Sequence, residues 1–196
     1  MKKLILLLSV VFLTTTAIQA QDSNFYLGIG VGYATAGGDG ADGVDNGINL
    51  KFLDMGYRFN ETWGVSAGLA SSGHNLDDFD DVAVGVASFA IGPMYTTTLG
   101  SASWDFKPQL ALSYVGKYAG DGASQELKDT TLKGSAFILG NSFVFGDGGK
   151  GFAWSIDVDY RMGKITEVEL YGNTADIDED NKLNNLNIGV GLRYNF

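Results

Sequence analysis

The chain has one histidine, His74, and its neighbours are of the types that make up a hydrolytic triad. Ser71 and Ser72 precede it, and Asp77 and Asp78 follow it in an acidic stretch that we interpret as a loop. A serine nucleophile, a histidine base and a carboxylate that orients the base are the set used in acyl transfer. A lone loop histidine is more often inert. We therefore predict that the chain is not an enzyme, and we expect no catalytic residues and no cofactor.

Two acidic stretches have the spacing of calcium-binding loops. "GGDGADGVD" matches the nonapeptide repeat of calcium-binding β-helices once, with Asp42 at its fixed position. "DIDEDN" has the alternating aspartates of an EF-hand start, Asp176, Asp178 and Asp180, but Asn181 replaces the glycine. A β-helix site needs stacked repeats and an EF-hand needs flanking helices. We therefore predict no defined metal site, and only loose association of divalent cations with the acidic loops.

After residue 24, apolar residues alternate with small or polar ones over nearly the whole chain. This period of two is typical of strands with one apolar face. Eight such segments predict an all-β fold, an antiparallel up-and-down barrel that crosses a membrane. The predicted strands cover residues 24–34, 48–60, 63–72, 82–97, 103–118, 131–146, 152–171 and 186–196.

Local departures from this pattern predict irregular strands. Pro93 and Pro108 cannot donate to a β-ladder, so we expect them near strand ends. In the fourth segment, the valines from Val82 to Val86 are out of phase with the apolar residues that follow, which predicts a bulge. The apolar stripe of the fifth segment is expected to run to Tyr114 on the outward face.

The other face of the strands is built largely from very small residues. It carries Gly28, Gly30 and Gly32 in the first segment and Gly189 and Gly191 in the last. Such residues would weaken a strand that faces water, but inside a narrow barrel they leave room for a few long side chains. We therefore predict that the apolar face points outward to lipid, with an aromatic girdle at one rim. The alternative is a soluble lipocalin-like binding protein with an apolar interior.

The inward phase also carries charged residues, four of each sign. An unpaired charge inside a narrow barrel is costly, so a balanced set predicts a salt-bridged plug and not an open pore. The predicted lumen charge network consists of Asp54, Asp105, Asp157 and Asp159 with Arg58, Lys107, Arg161 and Arg193.

The connections between the predicted strands alternate in length. The short ones are "NET", "LGSA" and "GDGGK". The long ones together hold 14 acidic residues and two lysines, and they cover residues 35–47, 73–81, 119–129 and 172–182. Short periplasmic turns and long extracellular loops are typical of outer-membrane barrels. The net charge of −10 argues against nucleic acid as a partner.

The N-terminus has the layout of a secretory signal peptide. Lys2 and Lys3 precede an apolar run that ends at Leu13, and Ala20 is a suitable residue before a cleavage site. We therefore predict a cleaved signal peptide over 1–20 and one outer-membrane β-barrel domain over 21–196.

The signal peptide and the stretches "FYLGIGVGY", "AIGPMY" and "NIGVGLRYNF" resemble those of small eight-stranded outer-membrane β-barrels of the OmpA/OmpX type. This resemblance implies a monomer in a Gram-negative outer membrane, in contact with lipid and lipopolysaccharide, with its loops extracellular. It also implies that Tyr194 and Phe196 form the assembly signal read by the barrel-assembly machinery. The implied role is structural or in surface interaction, of the adhesion or stress type. The alternative is a narrow pore or lateral conduit for small hydrophobic solutes.

Overall fold

Eight antiparallel strands, each paired with its neighbours in sequence, close into a barrel in the computed structural model. The structure describes residues 24–77, 79, 81–146 and 149–196, except for the side chains of 178–180. The signal peptide predicted for 1–20 lies outside the described residues. Pairing of the first strand with the last closes the ring, and the predicted strand number and topology are confirmed. The strands are β1 Phe25–Ala34, β2 Gly47–Arg58, β3 Trp63–Asn75, β4 Ala83–Leu99, β5 Ala102–Ala119, β6 Thr131–Phe145, β7 Gly151–Leu170 and β8 Asn173–Asn195.

The outer face of the barrel is apolar and the inner face is polar. Ile29, Leu112 and Val190 expose 61, 67 and 56 % of their surface, whereas Asp105 and Asn185 are buried in the interior. Apolar side chains outside and charges inside suit a barrel surrounded by lipid. The predicted outward orientation of the apolar face is confirmed, and the lipocalin-like alternative is wrong.

Aromatic side chains form a belt around the end of the barrel that carries the short turns. Neighbouring rings contact each other with centroid distances from 4.3 to 6.4 Å. Such belts are typical of the membrane–water interface of outer-membrane barrels, and the predicted girdle is confirmed. Its members are Phe25, Tyr57, Phe59, Trp63, Tyr95, Trp104, Phe106, Phe145, Phe152, Trp154, Tyr194 and Phe196.

A bulge in β2 changes which of its residues face the lumen. The pairing of β2 with β3 shifts register between Lys51 and Leu53, so Phe52 is an extra residue and points outward. Lys51 and Asp54 therefore both face the lumen, which strict alternation would not allow. The bulge adds a cation to the interior that the sequence pattern did not predict.

A second irregularity, in β5, turns Tyr114 into the interior. Leu112 is an extra residue between Ala111 and Ser113, which pair with consecutive residues of β4. Tyr114 is 1 % exposed as a result. The predicted outward position of Tyr114 is therefore wrong, because the bulge reverses the phase of the strand beyond it.

The bulge predicted within the fourth strand is also wrong. β4 pairs with β3 in unbroken register along the whole of β3. Val84 and Val86 face the lumen because the interior at this end is apolar, and they pack there with Tyr114, Ile165 and Leu183.

Pro93 and Pro108 lie inside β4 and β5, not near the strand ends where we expected them. The β4–β5 pairs on either side, Ile91 with Leu110 and Tyr95 with Phe106, place the two prolines opposite each other. Neither proline has a backbone N–H to donate. Because they are opposite each other, one interruption of the β4–β5 hydrogen bonding accommodates both.

The barrel wall continues beyond the apolar band at the end opposite the short turns. On β7 the outward apolar residues end near Met162, but the strand runs to Leu170. The loop predicted for 172–182 is wrong, because β8 already begins at Asn173 and pairs with β7. Tyr171 and Gly172 form the turn, with φ of 51° and 80°, as a tight type I′ hairpin requires.

Two other long connections contain short helical elements. A 3₁₀ turn covers Asp39–Ala41, and helix α1 covers Gln125–Asp129. The hydroxyl of Ser124 caps α1 by accepting a hydrogen bond from Leu127 N at 3.2 Å. Across the described ranges, no helix is long and apolar enough to span a membrane.

Gly56 should tolerate no side chain, because its Cα faces the ring of Tyr26 inside the barrel. A Cβ at position 56 would overlap that ring. We expect Gly56→Ala to lower the free energy of unfolding by about 1–3 kcal/mol, the usual effect of overpacking. Urea titration of the refolded barrel, followed by tryptophan fluorescence, measures this. Gly73→Ala is the control because its Cβ would meet no atom within 4 Å; equal stabilities would contradict the close packing.

Candidate functional site

The structure places all eight residues of the predicted charge network inside the barrel, where β2, β5, β7 and β8 carry them. Lys51 joins them through the β2 bulge. The sequence does contain a signal for Lys51, because the adjacent apolar residues Phe52 and Leu53 interrupt the alternation. The network therefore has five cations and four carboxylates: Lys51, Arg58, Lys107, Arg161, Arg193, Asp54, Asp105, Asp157 and Asp159.

Asp105 is the centre of the layer nearest the short turns. Its carboxylate is fully buried and accepts from Arg193 Nη1 at 2.6 Å and from Arg58 Nη2 at 3.4 Å. The hydroxyl of Thr96 donates a third hydrogen bond, at 2.7 Å. One carboxylate on β5 thus holds two guanidinium groups that reach across the lumen from β2 and β8, the two neighbours of β1.

The next layer pairs Lys107 with Asp54 across the barrel. Lys107 Nζ lies 3.1 and 2.9 Å from the two carboxylate oxygens. The hydroxyl of Tyr26 also donates to Asp54, at 3.3 Å. The guanidinium of Arg193 lies over the Tyr26 ring, 4.5 Å from its centroid, so Tyr26 joins the two layers through a cation–π contact.

Lys51 connects two aspartates of β7. Its Nζ lies 2.9 Å from Asp157 and 2.9 Å from Asp159. These aspartates are two positions apart on one strand, so they point to the same side and would repel each other without a shared cation. Lys51, which the alternating pattern did not predict to face the lumen, therefore neutralises both aspartates.

Arg161 is held differently from the other cations. It is 2 % exposed, and its Nε and Nη1 find no hydrogen-bond acceptor among the residues the structure describes. A cavity of about 30 Å³ lies beside it, lined also by Asp159 and Gln109. That volume is about the size of one water molecule.

His74 lies inside the barrel at the end of β3, so its prediction as a loop residue is wrong. Its Nδ1 is 2.9 Å from the backbone oxygen of Asp45, and its Nε2 is 3.2 Å from the side-chain nitrogen of Asn185. These partners assign the proton to Nδ1 and make Nε2 an acceptor. Both ring nitrogens are therefore occupied in joining β3, the first long connection and β8, and neither contacts Ser72 as a triad would require.

The structure gives the metal candidates no common site. Among the side chains it describes, no group of three or more histidine or acidic residues is close enough to hold an ion. Asp42 lies in the first long connection, and Asp176 lies in β8 opposite Glu167. The side chains of Asp178 and Asp180 are outside the described part of the chain.

The lumen widens at both ends and is filled between them. A polar vestibule of about 1060 Å³ lies at the short-turn end, bordered by Arg58 and Thr96. An apolar cavity of about 420 Å³ lies at the opposite end, bordered by Val84 and Leu183. Two cavities among the charges between them measure about 10 and 30 Å³, at most about one water each. The charge network therefore fills the middle of the barrel.

Comparison with known families agrees with this geometry. The model of the outer membrane protein beta-barrel domain matches residues 4–196. The chain belongs to this family. The family match confirms the predicted location in the outer membrane. Comparison with curated proteins finds no match.

Solved outer-membrane barrels share the fold at low sequence identity. Neisserial surface protein A superposes with a TM-score of 0.59 at 14 % identity, over 89 % of this chain and 98 % of that one. Ail, the attachment invasion locus protein of Yersinia pestis, gives 0.52 at 19 % identity, over 89 and 100 %. Ail in complex with the heparin analogue sucrose octasulfate gives 0.50 at 20 % identity, over 89 and 100 %. At these identities, the structural similarity concerns the barrel fold and not the function.

The predicted assembly signal lies at the seam of this outer-membrane barrel. Phe196 N donates to Phe25 O at 3.1 Å, and the rings of Phe196 and Phe25 lie 5.4 Å apart. The Tyr194 ring contacts both Phe196 and Phe152. The two residues therefore connect β8 to both of its neighbours, and their reading by the assembly machinery stays a prediction.

Removal of the Asp105 charge should destabilise the barrel strongly, because it leaves Arg58 and Arg193 facing a neutral group. We expect Asp105→Asn to lower the free energy of unfolding by about 3–5 kcal/mol, as for a broken buried ion pair. Urea titration in lipid vesicles measures this value.

The matched control is Glu169→Gln, in the part of the barrel beyond the apolar band. Lys133 donates a hydrogen bond to Glu169, and that contact lowers the pKa of the partly exposed carboxyl. Water screens this pair, so its loss should leave stability unchanged within error. Equal losses in both variants would contradict the central role of Asp105.

Proposed function

We propose that the protein is a non-conducting outer-membrane barrel that acts in surface interaction through the end opposite its short turns. In this proposal the short turns face the periplasm and the long connections face the exterior. The filled lumen carries the proposal, because layers of ion pairs occupy the space that a solute would need. Apart from Arg161, the charged residues in this plug are paired with one another, which suits a structural role.

The proposed exterior end is strongly acidic, which favours basic partners. Asp39, Asp45, Asp121, Glu126 and Asp129 all lie in its connections and helical elements. Ail has been solved with a heparin analogue, a polyanion. A polyanion would be repelled by the acidic end of this barrel, so we propose a cationic surface or peptide as the partner and not a sulfated sugar or nucleic acid.

The membrane itself supplies the remaining proposed partners. Lipid tails cover the outward apolar band, and the aromatic belt lies at the headgroup level on the periplasmic side. Divalent cations would associate loosely where the acidic connections meet the phosphates of lipopolysaccharide. We propose a monomer that the barrel-assembly machinery inserts by reading Tyr194 and Phe196.

A conductance experiment distinguishes the proposed non-conducting barrel from the pore alternative. We expect the refolded barrel to show no resolved channel openings in a planar bilayer, because the network leaves space for about one water at a time. A large-diameter porin in the same bilayer is the positive control. Stepwise openings that change when Lys51→Ala removes a plug cation would contradict the proposal and restore the conduit hypothesis.

The surface role predicts binding of an oligolysine peptide to the barrel in nanodiscs of zwitterionic lipid. We expect binding to weaken by about three- to tenfold in Asp121→Asn/Glu126→Gln/Asp129→Asn, and to be lost near about 0.5 M salt, where charges are screened within a few ångströms. Surface plasmon resonance measures both.

The control for this experiment is Glu61→Gln, a charge removed at the opposite end of the barrel. It should leave oligolysine binding unchanged. A heparin fragment should not bind at all. Equal weakening in the control and the loop variant, or binding of heparin in place of oligolysine, would contradict an acidic recognition surface.

A further inference from the structure

The apolar cavity at the acidic end of the barrel is chemically distinct from the plug below it. It measures about 420 Å³, within the usual size range of small-molecule sites. Its walls include Val84, Tyr118, Leu132, Ile165, Ile177 and Leu183. Val84, Ile165 and Leu183 are at most 5 % exposed and belong to the buried apolar cluster of the barrel, so this wall is closely packed.

The first long connection covers one side of the cavity and is fastened on two sides. Gly37 exchanges backbone hydrogen bonds of 2.9 and 2.7 Å with Asn184 of β8. Asp45 N donates to Asn75 O, and Asp77 N donates to Gly43 O, both at 2.9 Å. These contacts place Val44 at the cavity wall. Backbone that is hydrogen-bonded to β3 and β8 therefore forms this side of the cavity.

The floor of the cavity is closed. The Tyr114 hydroxyl donates to Leu183 O across the lumen at 3.2 Å, and its ring packs in the cluster that forms the wall. His74 and Asn185 are joined below by their side chains, and the charge network follows. A molecule in this cavity enters and leaves from the acidic end.

The charge at the cavity is negative. Of the lining residues that the structure describes, Asp42 is the one that carries a charge. Asn181 offers an amide and Tyr118 a hydroxyl, and the others are apolar or glycine. The surrounding connections add further acids, including Asp39 and Asp45. An anionic amphiphile would meet repulsion here, whereas a positive group on an apolar body would meet a carboxylate next to an apolar wall.

We propose that this cavity binds a small, compact apolar molecule that carries one positive charge. The apolar body fills the space between Val84, Leu132 and Ile165, and the cationic group faces Asp42. Burial of apolar surface supplies most of the affinity, and Asp42 selects the sign of the charge. The site lies inside the mouth of the barrel and is separate from the loop surface of the proposed function, so either proposal can fail without the other.

Three probes with one apolar body and different charges test this site: adamantylammonium, adamantanol and adamantane carboxylate. Each is titrated by NMR against the barrel in nanodiscs, with empty nanodiscs as the reference for partition into lipid. We expect the ammonium to bind about two- to fivefold more tightly than the alcohol, the range of an exposed ion pair, and the carboxylate to bind most weakly. Asp42→Asn should abolish the difference between ammonium and alcohol.

A cavity-filling variant separates this site from the lipid-facing surface. Leu132→Trp should abolish binding of all three probes, while Leu112→Trp, on the outward face at 67 % exposure, should leave it unchanged. Val168→Phe is a second filling variant in case Leu132→Trp does not fold, and the gel shift between boiled and unboiled samples checks folding of each.

Several results would overturn the proposal. Binding equal to that of empty nanodiscs would mean that the cavity takes no ligand. Carboxylate binding as tight as that of the ammonium would mean that Asp42 does not select charge. Passage of the ammonium across a vesicle membrane through the barrel would mean that Tyr114 does not close the floor.

Loss of oligolysine binding with intact probe binding would overturn only the surface role.

Discussion

Desolvation of charge inside a narrow barrel is the constraint on which this structure depends. A charged side chain in the middle of the lumen is remote from bulk water, so it is stable only against a counter-charge. Asp105, Asp54 and the pair Asp157 and Asp159 each meet cations from another part of the wall. These contacts connect β2, β5, β7 and β8, which include strands that are not neighbours. The pairing that neutralises the charges therefore also braces the barrel across its diameter.

The small residues of the inner face follow from the same constraint. Long side chains can cross the lumen only if the wall opposite them is thin. A Cβ at Gly56 would overlap the Tyr26 ring, and one at Gly163 would overlap the Tyr114 hydroxyl. Tyr26 joins two layers of the charge network, and Tyr114 crosses the lumen below the apolar cavity. The absence of a side chain at these two positions therefore leaves the space that the rings of Tyr26 and Tyr114 occupy.

Alternation along the sequence predicted the number of strands, the outward apolar face and eight of the nine lumen charges, because these depend on a regular period of two. It missed Lys51 and misplaced Tyr114 because each lies beside a bulge, where one extra residue reverses the phase. It placed His74 and residues 173–182 in loops because acids and small polar residues have low strand propensity. Pairing with β7 places residues 173–182 in a strand, and the contact with Asn185 across the lumen holds His74 inside the barrel. Neither contact can be inferred from a local sequence pattern.

The plug makes the two ends of the barrel chemically independent. The vestibule at the short-turn end is bordered by polar groups and the aromatic belt, whereas the opposite end combines an apolar cavity with an acidic rim. Nothing in the ion-pair layers requires a particular residue at the acidic end, because those layers satisfy their charges internally. A change at Asp105, by contrast, reaches β2 and β8 across the lumen. Such a division places the contacts that stabilise the barrel in the middle of the lumen and leaves the end that bears the acidic connections chemically separate from them.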